Sequence, residues 1–113
     1  MRRLLLALVC FTVTASVLRV IDADTFVVSA PIWHGMTATE TVRVLGVNAP
    51  EVTGPTAAAG LAAKAFATEW LGTSPVTLAT CKRDAFGRAL AVVTKNGETL
   101  ADALIRAGHG VRR

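Results

Sequence analysis

Three short polar segments interrupt a chain otherwise built of brief apolar runs. They are Asp22-Ala-Asp24-Thr25, Arg43-Val-Leu-Gly-Val-Asn48-Ala-Pro-Glu51 and Asp84-Ala-Phe-Gly87-Arg88. The flanking runs alternate in the period of strands, so residues 18–21 and 26–30 bracket the first segment and residues 75–81 and 89–94 bracket the third. Residues 41–47 form a further strand, with Val42, Val44 and Gly46 alternating with Arg43, Leu45 and Val47. Arg43 is the most demanding residue of this pattern, because an unpaired charge inside an apolar strand is expensive to bury. It therefore needs a partner, either a protein carboxylate such as Glu51 or a bound phosphate. Pro50 fixes its own φ and keeps Ala49 extended, which aims the Ala49 carbonyl in one direction.

The residue types in these segments suit phosphate chemistry. Carboxylate, amide and carbonyl oxygens suit a hard cation, and a hard cation suits phosphate oxygens. A separate carboxylate can activate water. Two guanidiniums can clamp a phosphate and neutralise the charge of its transition state. Taken singly, an Asp-x-Asp pair usually serves turn chemistry, and an arginine after Gly87 is an ordinary surface residue. The chain carries no Ser/His/Asp pattern, phosphate-cradling glycine loop or zinc spacing that would compete.

The three segments, in this order, resemble the staphylococcal nuclease-like (thermonuclease) family over residues 16–113. The family's Asp-Gly-Asp-Thr stands here as Asp22-Ala-Asp24-Thr25. Its arginine-to-Pro-Glu segment runs from Arg43 to Glu51, and its Asp-x-(aromatic)-Gly-Arg turn from Asp84 to Arg88. The resemblance implies an OB-fold of the α+β class, a five-stranded barrel with two helices. It also implies a monomeric, calcium-dependent enzyme that cleaves DNA and RNA endonucleolytically and leaves 3′-phosphates. By position, Asp24, Asn48 and the Ala49 carbonyl would bind Ca²⁺. Glu51 would be the general base, Arg43 and Arg88 the phosphate-binding pair, and Asp22 and Asp84 supporting groups.

This sequence departs from the family at several points. Asn48 is an amide where the family has a carboxylate, and Ala49 replaces a common threonine. Ala23 replaces a turn glycine, so a positive φ there would be strained. No tyrosine is present, and the sequence ends at Arg113, soon after its second helix, where relatives usually continue with a strand and aromatic residues. These departures keep open a catalytically weak or inactive nucleic-acid-binding OB module, and beyond it an exported binding protein with no nucleic-acid role.

The remaining organisation follows from patterning. A helix is expected over residues 56–71, with Ala59, Ala62, Ala63, Phe66 and Trp70 as its apolar stripe, Thr53 or Thr56 as its cap and Gly72 closing it. Residues 31–36 read as a loop, Asn96-Gly97 as a turn and residues 100–107 as a second helix. A net charge of +4 is compatible with a polyanionic partner.

The N-terminus allows two readings. Arg2-Arg3 precede an apolar run that ends at Val13-Thr-Ala15, the pattern of a signal peptide over residues 1–15 and of an exported protein. The run is short of the ~20 residues of a membrane span. Alternatively the protein is cytoplasmic and residues 11–21, with Phe11, Val13, Ala15 and Val17 alternating, form the first strand. Cys10 and Cys81 define no metal spacing and no disulfide framework, and Cys81 is expected as a core residue at a strand end.

Overall fold

The computed structural model describes residues 10–113. In chain order it contains β1 (Phe11–Asp22), β2 (Thr25–Trp33), β3 (Met36–Val44), β4 (Val47–Asn48), a 3₁₀ turn (Gly54–Thr56), α1 (Ala57–Leu71), β5 (Val76–Arg83), β6 (Ala89–Lys95), β7 (Glu98–Thr99), α2 (Leu100–Arg106) and β8 (Val111–Arg112). The strands run in the order β3-β2-β1-β5-β6-β7, and a parallel pairing of β3 with β6 closes β1, β2, β3, β5 and β6 into a five-stranded barrel. With its two helices this is the expected OB-fold of the α+β class.

β1 is the strand that makes closure possible. Its first half pairs with β5, from Phe11 opposite Thr80 to Ala15 opposite Val76. Its second half pairs with β2, from Ser16 opposite Ser29 to Asp22 opposite Thr25. Irregularities between Val17 and Arg19, and between Val20 and Asp22, bend it between the two partners. β1 thus begins at Phe11, ahead of the start at residue 16 expected for the domain. The first part of the expected leader, residues 1–9, lies outside the described residues, while Val13, Thr14 and Ala15 are barrel residues, Ala15 being buried.

The core joins barrel and helices: Phe26, Val28, Val42, Val44, Val76 and Val93 meet Ala63, Ala67 and Leu71 of α1 and Leu100 and Leu104 of α2. The buried stripe of α1 is Gly60, Ala63, Ala67 and Leu71, rotated from the expected one. Ala59 and Ala62 face solvent, and Phe66 and Trp70 flank the core. Neither Thr53 nor Thr56 caps the helix with its side chain. Gly72, at φ +57, closes it as expected, and Lys95 Nζ donates to the carbonyls of Trp70 (3.1 Å) and Leu71 (2.7 Å).

Residues 31–33 extend β2 instead of forming a loop. Proline is tolerated there because β1 has already left β2 for β5, so the missing N–H breaks no ladder on that side. Asn96 (φ 52) and Gly97 (φ +77) make the expected turn between β6 and β7. A two-residue strand follows α2, β8, and it pairs with β4. Cys81 is exposed, correcting the expectation of a core residue, and it forms a disulfide with Cys10 that the spacing alone did not define.

Candidate active site

The β1–β2 turn carries Asp24, and the end of β3 docks on it through a Val44 N–H donated to the Asp24 carbonyl at 2.9 Å. This brings Arg43 beside Asp24, and both residues are buried, 7% and 6% exposed. Arg43 Nη1 lies 3.4 Å from Asp24 Oδ2 and donates to the carbonyls of Val44 (2.9 Å) and Val47 (3.1 Å). Its Nη2 donates to Asn48 Oδ1 at 2.9 Å. The carboxylate partner of Arg43 is therefore Asp24 and not Glu51. Burial pushes the Arg43 guanidinium below its usual pKa, Asp24 opposes that, and the charges of Arg113 and Arg88 add to the lowering.

Asp24 is itself held in place. Its Oδ1 accepts from Thr25 Oγ1 (3.1 Å) and its Oδ2 from the Ala49 N–H (2.8 Å). Ala23, beside it, is fully buried in the core, and among the described residues only Asn96 is a non-glycine with positive φ. The strain expected at Ala23 is absent, and its methyl group fills core space instead.

Glu51 is exposed, on a loop that three contacts fix. Asp22 Oδ1 accepts the Val52 N–H (3.1 Å), and the Thr56 hydroxyl donates to the Glu51 carbonyl (2.9 Å) instead of capping α1. Gly60 of α1 supplies the third: a Cβ there would fall on the Glu51 carbonyl, so only glycine lets the helix lie this close. Among the described residues, no ion pair holds the Glu51 carboxylate.

The β5–β6 turn is organised by Asp84. Its Oδ1 accepts the N–H groups of Phe86 and Arg88, both at 2.9 Å, and its Oδ2 accepts Arg88 Nε at 2.6 Å. Desolvation pushes the Asp84 carboxyl up, but the hydrogen bonds from Arg88 and Phe86, with the Arg88 charge, hold it below the ordinary carboxylate range. Arg88 also stands over the exposed Phe86 ring, 5.3 Å from its centroid.

The parallel pairing of Arg43 with Leu90 sets β3 against β6 just past this turn. Arg43 and Arg88 therefore border one cavity of about 360 Å³, with Leu45, Asp84, Phe86 and Leu90. Asn48 and Ala49 line a neighbouring shallow depression with His109. The structure thus joins Asp24, Arg43, Asn48 and Ala49 in one bonded cluster and Asp84 with Arg88 in a second, with Arg43 common to cluster and cavity. Glu51 touches neither, and its neighbour Val52 bonds to Asp22. A separate apolar cavity of about 370 Å³ opens at the barrel mouth among Phe11, Ile32 and Leu78 and holds none of the three motifs.

Among the described residues, no three His, Cys, Asp or Glu side chains are placed to hold a metal ion. The expected calcium ligands are one carboxylate, one amide and one carbonyl, and these are hard oxygens that fit a hard cation by type. Asp24 Oδ2 and Asn48 Oδ1 already converge on a single cation, the Arg43 guanidinium.

Sequence reasoning passed over Thr56, Gly60 and Arg113. Thr56 looked like a helix cap and Gly60 like one small residue in an alanine-rich helix. Arg113 carries no motif, and only the pairing of β8 with β4 brings it to the site.

No curated protein matches the chain closely enough to count as a relative. The family model described as staphylococcal nuclease homologue matches residues 41–112, more than half of the chain, including the segments around Arg43 and Arg88. Its nuclease-type barrel and this match agree, and the chain belongs to the staphylococcal nuclease homologue family.

Proposed function

We propose that the protein is a calcium-dependent nuclease that hydrolyses phosphodiester bonds of DNA and RNA endonucleolytically. The observation that carries this reading is the meeting of Arg43 and Arg88 on one cavity, with the Asp24 and Asn48 side-chain oxygens both against the Arg43 guanidinium. Asp24, Asn48 and the Ala49 carbonyl would hold Ca²⁺, which when bound supplies positive charge for a phosphate oxygen. The scissile phosphate lies between Arg43 and Arg88, whose planar guanidiniums donate to its oxygens. Glu51 takes a proton from water, the water oxygen bonds to phosphorus, and the bond from phosphorus to the 5′-oxygen breaks. The 5′-oxygen takes a proton from solvent and a 3′-phosphate remains. Both guanidiniums stabilise the charge that builds up in the pentacovalent transition state.

One observation favours a second reading, a nucleic-acid-binding OB module without strong catalysis. Asn48 Oδ1 is already engaged by Arg43, and the site has a single carboxylate at Asp24 to attract a divalent ion. Plasmid digestion in calcium against EDTA, beside a gel shift on the same DNA, separates the two. Cutting in calcium that stops in EDTA supports the nuclease; a shift without cutting supports the module.

Export is proposed on the basis of Arg2-Arg3 with the apolar run after them and of the Cys10–Cys81 disulfide, a bond that persists in oxidising compartments. A leader removed before Cys10 keeps β1 and the disulfide; one removed after Ala15 costs the disulfide and the half of β1 that pairs with β5.

A further inference from the structure

Three arginines border the cavity that holds the proposed phosphate site, and the motifs account for only two. Arg113 is the third. It follows β8, and its backbone N–H donates to the Gly46 carbonyl at 3.3 Å, which fixes it beside the turn after β3. The other two guanidiniums each have a carboxylate partner. Arg43 is bonded to Val44, Val47, Asn48 and Asp24, and Arg88 to Asp84. Arg83, Arg106 and Arg112 likewise each have a carboxylate partner. Among the described residues, the Arg113 guanidinium has no ion pair. The one acid lining the cavity, Asp84, is spent on Arg88. The cavity lining therefore gathers three guanidiniums and one carboxylate, and Arg43 feels repulsion from Arg113.

A single scissile phosphate engages the Arg43–Arg88 pair. A strand carries a further phosphate on each side of the scissile one, and an exposed guanidinium at the cavity edge suits that neighbour. We propose that Arg113 is a substrate-binding residue for a phosphate adjacent to the scissile one, which makes a polynucleotide strand, not an isolated diester, the substrate of this site. This rests on the nuclease reading above.

The test uses the full chain and its Arg113→Ala variant, with Arg112→Ala as the control for simple loss of surface charge. The probes are a ten-residue oligothymidylate and a thymidine dinucleotide with one phosphodiester. Binding of the oligonucleotide in EDTA is followed against salt, and cleavage of both substrates is followed in calcium. Loss of one phosphate contact lowers the slope of log K against log salt by about 0.7 for a single strand. Arg113→Ala should show that change, raise KM for the oligonucleotide roughly 10-fold as expected for a charged hydrogen bond, and leave kcat and the dinucleotide kinetics near wild type. Arg113→Ala behaving as wild type on both substrates, or matching Arg112→Ala, overturns the assignment alone. An equal loss on both substrates also overturns it, because Arg113 would then serve the scissile phosphate itself. A wild type that neither binds nor cuts either probe overturns the nuclease reading and the assignment together.

Discussion

Asp24 and Arg43 form a buried ion pair, and the cost of separating such a pair is asymmetric. Removing one partner leaves an uncompensated charge in a low-dielectric setting, a loss of about 3–5 kcal/mol. Asp24→Ala should therefore destabilise the protein by roughly that amount even without any metal present, as measured by urea unfolding in EDTA. A loss below about 1 kcal/mol would mean that Arg43 is satisfied by the Val44, Val47 and Asn48 oxygens alone. Lysine at position 43 or 88 should recover little of the activity that alanine removes, because an ammonium is a point charge without the planar fork; full activity in both lysine variants would rule out the clamp. Asn48→Asp adds a second carboxylate to the proposed cation site and should lower the calcium concentration needed, which calcium titration by activity and by melting temperature would reveal. If neither readout moves, position 48 does not face the ion. At this scale the sequence made plain that Arg43 needs a partner but not which one. Asp24 becomes that partner only because the β1–β2 turn docks on the end of β3, a long-range fact that spacing along the chain does not carry.

Among elements, the loop holding Glu51 depends on α1 lying against it. Gly60→Ala drives a methyl group into the Glu51 carbonyl. Overpacking of this kind costs about 1–3 kcal/mol, and because the loop must shift, turnover should fall as well. Denaturation and rate measured on the same variant check both effects, and a fully stable, fully active Gly60→Ala would show that the close approach does not matter. The β5–β6 turn gives a pH dependence. Asp84 has a pKa held below its unfolded value, so its contribution is complete above the unfolded pKa of about 3.9 and is lost as pH falls through the lower folded value. Glu40, lowered by its hydrogen bond from Arg83, acts in the same direction. Asp84→Asn should flatten part of the acid-side fall in melting temperature between pH 5 and pH 2. Patterning located most of these elements, because alternation and turn residues are local. It offered the long β1 as one of two readings of residues 11–21, because the same apolar run also has the pattern of a leader. It misplaced the α1 stripe because alanines on several faces leave the helix rotation undetermined until Gly60 and Leu71 pack.

At the level of the whole molecule, the barrel is closed by β3–β6 pairing on one side and tied across β1–β5 by Cys10–Cys81, residues separated by 71 positions. A crosslink of that kind typically adds about 2–4 kcal/mol, so reduction, or Cys81→Ser, should lower unfolding stability by a similar amount; an unchanged midpoint would mean that the strand pairing alone suffices. The three motifs named the family and the barrel from sequence because each sits where two strands of that barrel meet. The contribution of β8 and Arg113 stayed hidden, since a two-residue strand has no period to read. In the proposed reaction this barrel hydrolyses phosphodiesters with Glu51 as the base. The most direct test is the initial rate of cleavage of a labelled oligonucleotide at saturating calcium by wild type and Glu51→Gln, with binding measured in parallel. The predicted result is cleavage by wild type and a rate lowered by roughly 10² to 10⁴ in Glu51→Gln, the usual range for a general base, with binding unchanged. No cleavage by wild type, or a Glu51→Gln rate within a few-fold of it, would contradict the claim.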